Sequence, residues 1–212
     1  MAKALARTLG YTYVDTGAMY RAITLFAVRQ GLYASGQLDV AELEARLPQA
    51  VVGFTVATDD APAQTMLCGE VVEDEIRGME VAAHVSEIAA LPFVRRQLVE
   101  LQRAMGAAGG VVMDGRDIGT NVFPQAELKV FVTASAEVRA QRRYDELTAK
   151  GVECNLDDIL ANVVERDRID STRATDPLRQ ADDALLLDNS HMTREQQNEQ
   201  LLAGAQQRIT QQ

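Results

Sequence analysis

The 212-residue sequence contains no tryptophan, two cysteines and two histidines. Cys68 and Cys154 are too few for a disulfide framework and suit a reducing compartment, so the sequence predicts a cytoplasmic protein. Neither cysteine has a cysteine or histidine at metal-ligand spacing, so we expect no metal site built from side chains. The sequence also lacks an apolar run of about 18 residues, so we expect no helix that spans a membrane and no membrane partner.

Positive charge is scarce as well. The 21 basic and 31 acidic residues give a formal net charge of −10. A protein that follows nucleic-acid phosphates needs a positive surface, so we expect no nucleic-acid partner. Arginine accounts for 18 of the 21 bases, and it is the side chain suited to bidentate phosphate or carboxylate contacts. Codon usage explains this bias equally well, so the positions of the arginines must decide.

The order of the predicted elements favours an α/β fold. Short apolar strands alternate with helices, which is typical of a parallel sheet covered by helices on both faces. The strands are predicted at residues 11–14, 111–113, 128–132 and 184–187. Residues 51–72 instead read as a small antiparallel insert with a turn at 58–62. A helix is predicted over 73–91, and Pro92 is expected to open the next one.

Other helix ends are predicted from single residues. Asp15-Thr16-Gly17 is expected to open a helix that Gly31 ends, and Ser135 and Asn155 are each expected to be the N-cap of a later helix.

Polar clusters follow three of these strands. They are Asp15-Thr16-Gly17, Asp114-Gly115-Arg116-Asp117 and Asp188-Asn189-Ser190. Ligands of parallel sheets bind beyond the carboxyl ends of the strands. Ordinary turn chemistry explains the third cluster, whereas an arginine between two aspartates in the second is charge-dense for a turn.

A fourth cluster lies in the segment 165–173. Arg166, Asp170 and Arg173 are spaced four and three residues apart, which predicts that they share one strip of a helix. A solvated helix face with ion pairs is the alternative interpretation, and a ligand-facing lid is the functional one.

Three segments together resemble bacterial cytidylate kinases. The residues that carry the resemblance are Tyr13–Arg21, Asp114–Thr120 with Val122-Phe123-Pro124, and Glu165–Arg173. Their order and spacing also match, and the resemblance covers essentially the whole sequence. Any one of the motifs would be only suggestive.

The resemblance implies a P-loop-type nucleoside monophosphate kinase core with an antiparallel insert and a helical lid. It places the core at residues 1–30 and 106–212, the nucleotide-monophosphate-binding insert at about 31–105 and the lid at about 142–180. It further implies a monomer that transfers the γ-phosphoryl group of ATP to CMP or dCMP with Mg2+. Another nucleoside monophosphate kinase, acting on UMP or AMP, is a second reading.

The resemblance also assigns roles to individual residues. Arg116, Arg166 and Arg173 are implied as catalytic arginines, the last two arriving with the lid. The implied substrate-binding residues are Thr16, Tyr20, Arg21, Ser86, Arg95, Arg116, Asp117, Arg166 and Asp170. Among these, Asp117, Arg95 and Ser86 are implied to read cytosine, while Tyr20 packs beside the nucleotide or in the core. Taken alone, Arg95 would read as an exposed arginine on a helix.

One motif of that family is missing from the sequence. The phosphate-binding loop G-x-x-x-x-G-K-[ST] cradles the donor phosphates, and no lysine here follows a glycine. We therefore expect the helix at residues 1–9 to be the one that normally follows this loop. A CMP-binding protein without catalytic activity is the alternative from another functional class.

Overall fold

The computed structural model describes residues 1–34, 36–58 and 62–210, and it divides the chain into two compact units. One unit consists of Met1–Leu9 and Arg116–Gln212, and the other of Gly10–Gly115. The predicted division into core, insert and lid stays a prediction. The centre of the turn predicted at 58–62 lies outside the described residues.

The described residues form helices and short strands in alternation. The helices are α1 (Ala2–Leu9), α2 (Thr16–Arg29), α3 (Val40–Arg46), α4 (Met79–Ala90), α5 (Pro92–Gly106), α6 (Ala136–Ala149), α7 (Leu156–Thr172) and α8 (Arg194–Thr210). The strands are β1 (Thr12–Asp15), β2 (Val52–Phe54), β3 (Thr65–Leu67), β4 (Glu70–Val71), β5 (Val111–Asp114), β6 (Val130–Thr133) and β7 (Leu185–Asp188). Within the described ranges, no helix has the length and apolar content that a membrane crossing requires.

Helix α2 forms the centre of the unit Gly10–Gly115. It begins at Thr16 because the Asp15 carboxylate accepts a hydrogen bond from the Ala18 amide at 3.0 Å, as an N-cap does. It ends before Gly31, whose φ of +69° suits glycine. Because α2 is buried on nearly all sides, it fixes the position of the strand end that precedes it.

The antiparallel insert is confirmed as a three-stranded sheet in the order β2-β3-β4. Its β3–β4 turn places Cys68 and Gly69 at φ +51° and +87°, the pattern of a tight hairpin. The prediction of a single helix over 73–91 is wrong for the first residues of that range. A short 3-10 helix occupies Glu75–Arg77, and α4 begins only after Gly78, whose extended backbone acts as the N-cap.

Each unit has its own two-stranded parallel sheet. Strand β1 pairs with β5 from Thr12 opposite Val111 to Asp15 opposite Asp114, and β6 pairs with β7. The α/β class with parallel sheets flanked by helices is confirmed.

Capping residues place the two long helices of the other unit. Ser135 accepts a hydrogen bond from the Val138 amide, and Asn155 accepts from Asp157 and Asp158, so both predicted N-caps are confirmed. Arg139 on α6 forms a bidentate ion pair with Asp167 on α7. This ion pair links α6 to α7 within the segment 165–173.

Candidate functional site

The predicted site residues fall into two groups, one in each unit. The unit Gly10–Gly115 holds Thr16, Tyr20, Arg21, Ser86 and Arg95, and the other unit holds Arg116, Asp117, Arg166, Asp170 and Arg173.

The carboxyl ends of β1 and β5 are joined by side chains. The buried Thr16 hydroxyl donates to the Asp114 carbonyl at 2.6 Å, and the Tyr13 hydroxyl donates to the Asp114 carboxylate at 2.7 Å. Burial and the adjacent Asp114 carboxylate raise the pKa of Tyr13 well above its usual range. The sequence reasoning named Thr16 but missed the contact of Tyr13, because the pairing spans 101 residues.

Arg95 is buried, with 1% of its surface exposed. Its guanidinium carbon lies 5.6 Å from the centroid of the Tyr20 ring, and its Nη1 donates to the Ala89 carbonyl at 3.3 Å. The reading of Arg95 as an exposed helix residue is therefore wrong. A buried cation stacked on an aromatic ring is a favourable arrangement, and it shows that Tyr20 belongs to the core packing of α2.

The two remaining residues of this group are half-buried. Arg21 Nη1 donates to the Ile76 carbonyl at 3.3 Å, which ties α2 to the short 3-10 helix of the insert. Ser86 lies on α4, which carries buried Val85 and Ile88 beside it.

In the other unit, two arginines surround one buried carboxylate. Arg116 Nε donates to Asp170 Oδ2 at 3.0 Å, and Arg173 Nη1 lies 3.7 Å from Asp170 Oδ1. Arg173 Nη2 also lies 3.6 Å from Asp117 Oδ1. The side chains of Asp117, Asp170 and Arg173 are no more than 10% exposed, whereas Arg116 is 49% exposed. These side chains form a largely desolvated ionic cluster, in which Arg116 is accessible to solvent.

Arg173 does not lie on the predicted helix strip. Helix α7 ends at Thr172, and Arg173 has an extended backbone (φ −60°, ψ 143°) while its amide still bonds to the Ile169 carbonyl. Its Nε and Nη2 donate to the Asp176 carbonyl at 2.9 and 2.6 Å. The strip is confirmed for Arg166 and Asp170, and Arg173 instead reaches Asp170 from the helix end. The alternative of a solvated helix face is wrong for Asp170 and Arg173.

Arg166 lies in the least favourable electrostatic environment of the three arginines described in this cluster, because it is desolvated and next to another cation. Burial, followed by the neighbouring positive charge of Arg116, lowers the pKa of Arg166, while Asp170 acts in the opposite direction. Its Nε is buried and has no hydrogen-bond partner among the described residues. A desolvated guanidinium with an unused donor is destabilising unless an anion binds it.

Asp117 begins a tight five-residue π-helical turn over Ile118–Val122. Its carbonyl accepts the Asn121 and Val122 amides at 2.9 and 3.2 Å. Its carboxylate accepts the Asn121 side-chain amide at 3.1 Å. The turn therefore determines where the Asp117 carboxylate lies relative to Arg173.

The third sequence cluster is a turn, as predicted, because Asp188 accepts the Ser190 amide and hydroxyl. The contacts of Asn189 within this cluster were missed. Buried Asn189 accepts two hydrogen bonds from Arg142, at its side-chain oxygen and its carbonyl, and donates to Gln197. Arg142 on α6 gives no sequence signal for a partner 47 residues away.

The described side chains do not build a metal cage. Among residues 1–34, 36–58 and 62–210, no three His, Cys, Asp or Glu side chains are grouped so that they could hold a metal ion. Magnesium usually binds through one or two carboxylates together with substrate phosphates. None of the described residues is assigned as a ligand of such a metal.

Comparisons with known proteins identify the family of the chain. The sequence profile described as cytidylate kinase matches residues 1–207. The chain is similar to a cytidylate kinase of Porphyromonas gingivalis, with 59% identity over 203 residues that cover 95% of this chain and 88% of the relative. It is also similar to cytidylate kinases of Bacteroides fragilis (54% over 209 residues, 99% and 91% covered) and Flavobacterium johnsoniae (50% over 197 residues, 93% and 86% covered). With a match over nearly all of its length, the chain belongs to the cytidylate kinase family.

Proposed function

We propose that the chain takes part in transferring the γ-phosphoryl group of ATP to CMP or dCMP. An oxygen of the CMP phosphate forms a bond to the γ-phosphorus, the bond from that phosphorus to the bridging oxygen of ATP breaks, and ADP leaves with CDP or dCDP as the product. ATP enters as its Mg2+ complex. The observation that carries the proposal is the arginine cluster around Asp170 in a chain of this family.

The charges of the cluster support a phosphate ligand. Arg116, Arg166 and Arg173 face two carboxylates, Asp117 and Asp170, so one positive charge is in excess. The unused Nε of Arg166 and the exposed side chain of Arg116 are the donors available to an anion. Phosphoryl transfer needs positioning and charge stabilisation more than covalent chemistry, and these arginines supply both.

The other predicted roles follow from the chemistry of CMP. Cytosine offers its N4 amino group as a donor, which a carboxylate such as Asp117 accepts. Its N3 and O2 are acceptors, which suit Arg95 and the Ser86 hydroxyl. By the family resemblance, Arg21 and Arg116 serve the acceptor phosphate, with Thr16 nearby. Asp170 and Arg166 serve the ribose.

The lid arginines have a further role in this proposal. Arg166 and Arg173 stabilise the charge that develops during transfer only when CMP is in place, and water is then excluded from the γ-phosphorus. Hydrolysis of ATP without an acceptor is suppressed by this requirement.

The relatives give no support to the other readings. Those described above are all cytidylate kinases, which favours neither UMP or AMP as the acceptor nor a binding protein without activity. The 212 residues contain no G-x-x-x-x-G-K-[ST] motif. We therefore propose that these residues alone supply the acceptor site and the arginines, and not the donor-phosphate cradle. A cytoplasmic location and a monomeric state remain predictions.

Equilibrium titration of the purified chain with nucleoside monophosphates tests the acceptor. We expect CMP and dCMP to bind more tightly than UMP by about tenfold or more, because a site that hydrogen-bonds an amino group rejects a carbonyl at that position. AMP is the control for general affinity to nucleotides. Equal dissociation constants for CMP and UMP would contradict the proposed base recognition, and tighter binding of AMP would contradict the acceptor class.

A further inference from the structure

The side chain of Lys129 is largely enclosed, which is unusual for lysine. It is only 8% exposed, and Lys129 immediately precedes β6. Its ammonium group donates to the Pro124 carbonyl at 2.5 Å and to the two carboxylate oxygens of Asp183 at 2.9 and 2.7 Å. All three donors of the ammonium are thus used, and two separate loops are held by one side chain.

The stem of Lys129 lies against the turn that follows Asp117. A methyl group placed on Gly119 would be 3.2 Å from Lys129 Cδ, 3.3 Å from Cγ and 3.5 Å from Cβ. Those distances leave no room for a side chain at Gly119 unless the turn or the lysine moves. The φ of Gly119 is not in the left-handed region, so close approach of the lysine stem explains the glycine here.

This contact continues directly to the Asp117 carboxylate. Gly119 lies inside the π-helical turn, whose amides at Asn121 and Val122 bond to the Asp117 carbonyl. The Asn121 side chain donates to the Asp117 carboxylate at 3.1 Å. Lys129 thus contacts the turn at Gly119 through its stem and bonds to Pro124, just after the turn, through its ammonium group. The turn itself fixes Asp117 through these hydrogen bonds.

We propose that Lys129 is a positioning residue that sets the Asp117 carboxylate through the Gly119 turn. It acts through Asp117 and makes no contact of its own with a nucleotide. Its consequence for ligand recognition rests on the proposed function, in which Asp117 accepts a hydrogen bond from cytosine N4. The competing explanation is a clamp that stabilises the unit without any effect on Asp117.

The first test needs no ligand. Lys129→Met keeps an apolar stem against Gly119 and removes the ammonium group. The space beside Gly119 therefore stays occupied, while the hydrogen bonds to Pro124 and Asp183 are lost. We expect the side-chain amide resonances of Asn121 to shift or broaden in a nitrogen–proton NMR spectrum. Lys150→Met is the matched control, because Lys150 also pairs with a carboxylate of its own unit but is 60% exposed. Unchanged Asn121 resonances in Lys129→Met would overturn the proposal, even if the melting temperature fell.

The second test uses CMP and a double-mutant cycle. A misplacement of a binding group by about 1 Å can cost up to roughly a hundredfold, so we expect Lys129→Met to weaken CMP binding about tenfold. In the Asp117→Asn background the same change should weaken CMP binding less than twofold, because the group it positions is already altered. An equal loss in both backgrounds would show that Lys129 does not act through Asp117.

A third variant approaches the same turn from the other side. Gly119→Ala keeps the ammonium contacts and places a methyl against the lysine stem, so we expect the same Asn121 resonances to move. If they stay in place, the Gly119 contact does not set the turn and the proposal fails. If Asp117→Asn alone leaves CMP binding unchanged while the resonances respond as expected, the proposed base recognition fails and the positioning role stands.

Discussion

The 212 residues are expected to transfer no measurable phosphate from ATP to CMP, and to reach about 1–100 turnovers per second when a strand and a G-x-x-x-x-G-K-[ST] loop are joined ahead of Met1. The reason is that the loop provides backbone amides, a lysine and a hydroxyl for the donor phosphates and their metal. None of the three lysines of these 212 residues follows a glycine, so we expect none of them to hold the donor phosphates as the lysine of that loop does.

A coupled assay of ADP release in the presence of CMP and Mg2+ measures this difference. The matched control is the same extended protein with alanine in place of the loop lysine, which should fold equally well and remain nearly inactive. Turnover in the normal range by the 212 residues alone would contradict the prediction. Equal rates for the extended protein and its alanine control would contradict the explanation through the loop.

Arg173→Ala is expected to weaken both stability and phosphoryl transfer. The guanidinium is 5% exposed and faces Asp117 and Asp170, while it donates twice to the Asp176 carbonyl. Removing a cation from two buried carboxylates costs about 3 kcal/mol, which lowers the melting midpoint by roughly 6–12 °C in a chain of this size.

Two further variants separate these effects for Arg173. Arg173→Lys keeps the charge but loses the paired donors to Asp176, so it should recover most of the stability and little of the turnover of the extended enzyme. Arg168→Ala is the control, because Arg168 lies on α7 shortly before Arg173 and pairs with Glu165 while 62% exposed; it should change neither quantity. A normal midpoint in Arg173→Ala would show that the ionic cluster does not stabilise the unit.

The sequence predicted best those features that are determined locally. The N-caps at Asp15, Ser135 and Asn155 and the helix end at Gly31 follow from side chains within a few residues of each helix end. The turn around Asp188 follows from the same local chemistry. These predictions were confirmed because neighbouring residues alone determine them.

Features that depend on distant partners could not be predicted. Burial of Arg95 depends on Tyr20, and burial of Arg173 depends on Asp117. A charged side chain looks the same in the sequence whether it is solvated or enclosed. The motifs indicated which residues matter for the site, but not how the ionic contacts are distributed among them.

Lys129 and Gly119 illustrate the same limit in the turn that holds Asp117. A single lysine before an apolar strand reads as an ordinary exposed residue, and a single glycine reads as an ordinary turn residue. Only the distance from the lysine stem to the glycine shows that the two are matched.

The central claim is that Asp117 recognises cytosine, and the ratio of UMP to CMP dissociation constants in the natural chain and in Asp117→Asn tests it most directly. The asparagine keeps the shape and adds a donor that can turn toward the uracil carbonyl. A mismatch at a buried polar contact costs about 1–3 kcal/mol, or roughly tenfold to a hundredfold. We therefore predict weaker CMP binding by the variant and a ratio that falls toward one. If both nucleotides lose affinity by the same factor and the ratio is unchanged, Asp117 serves only the ionic contact with Arg173 and the claim of base recognition is contradicted.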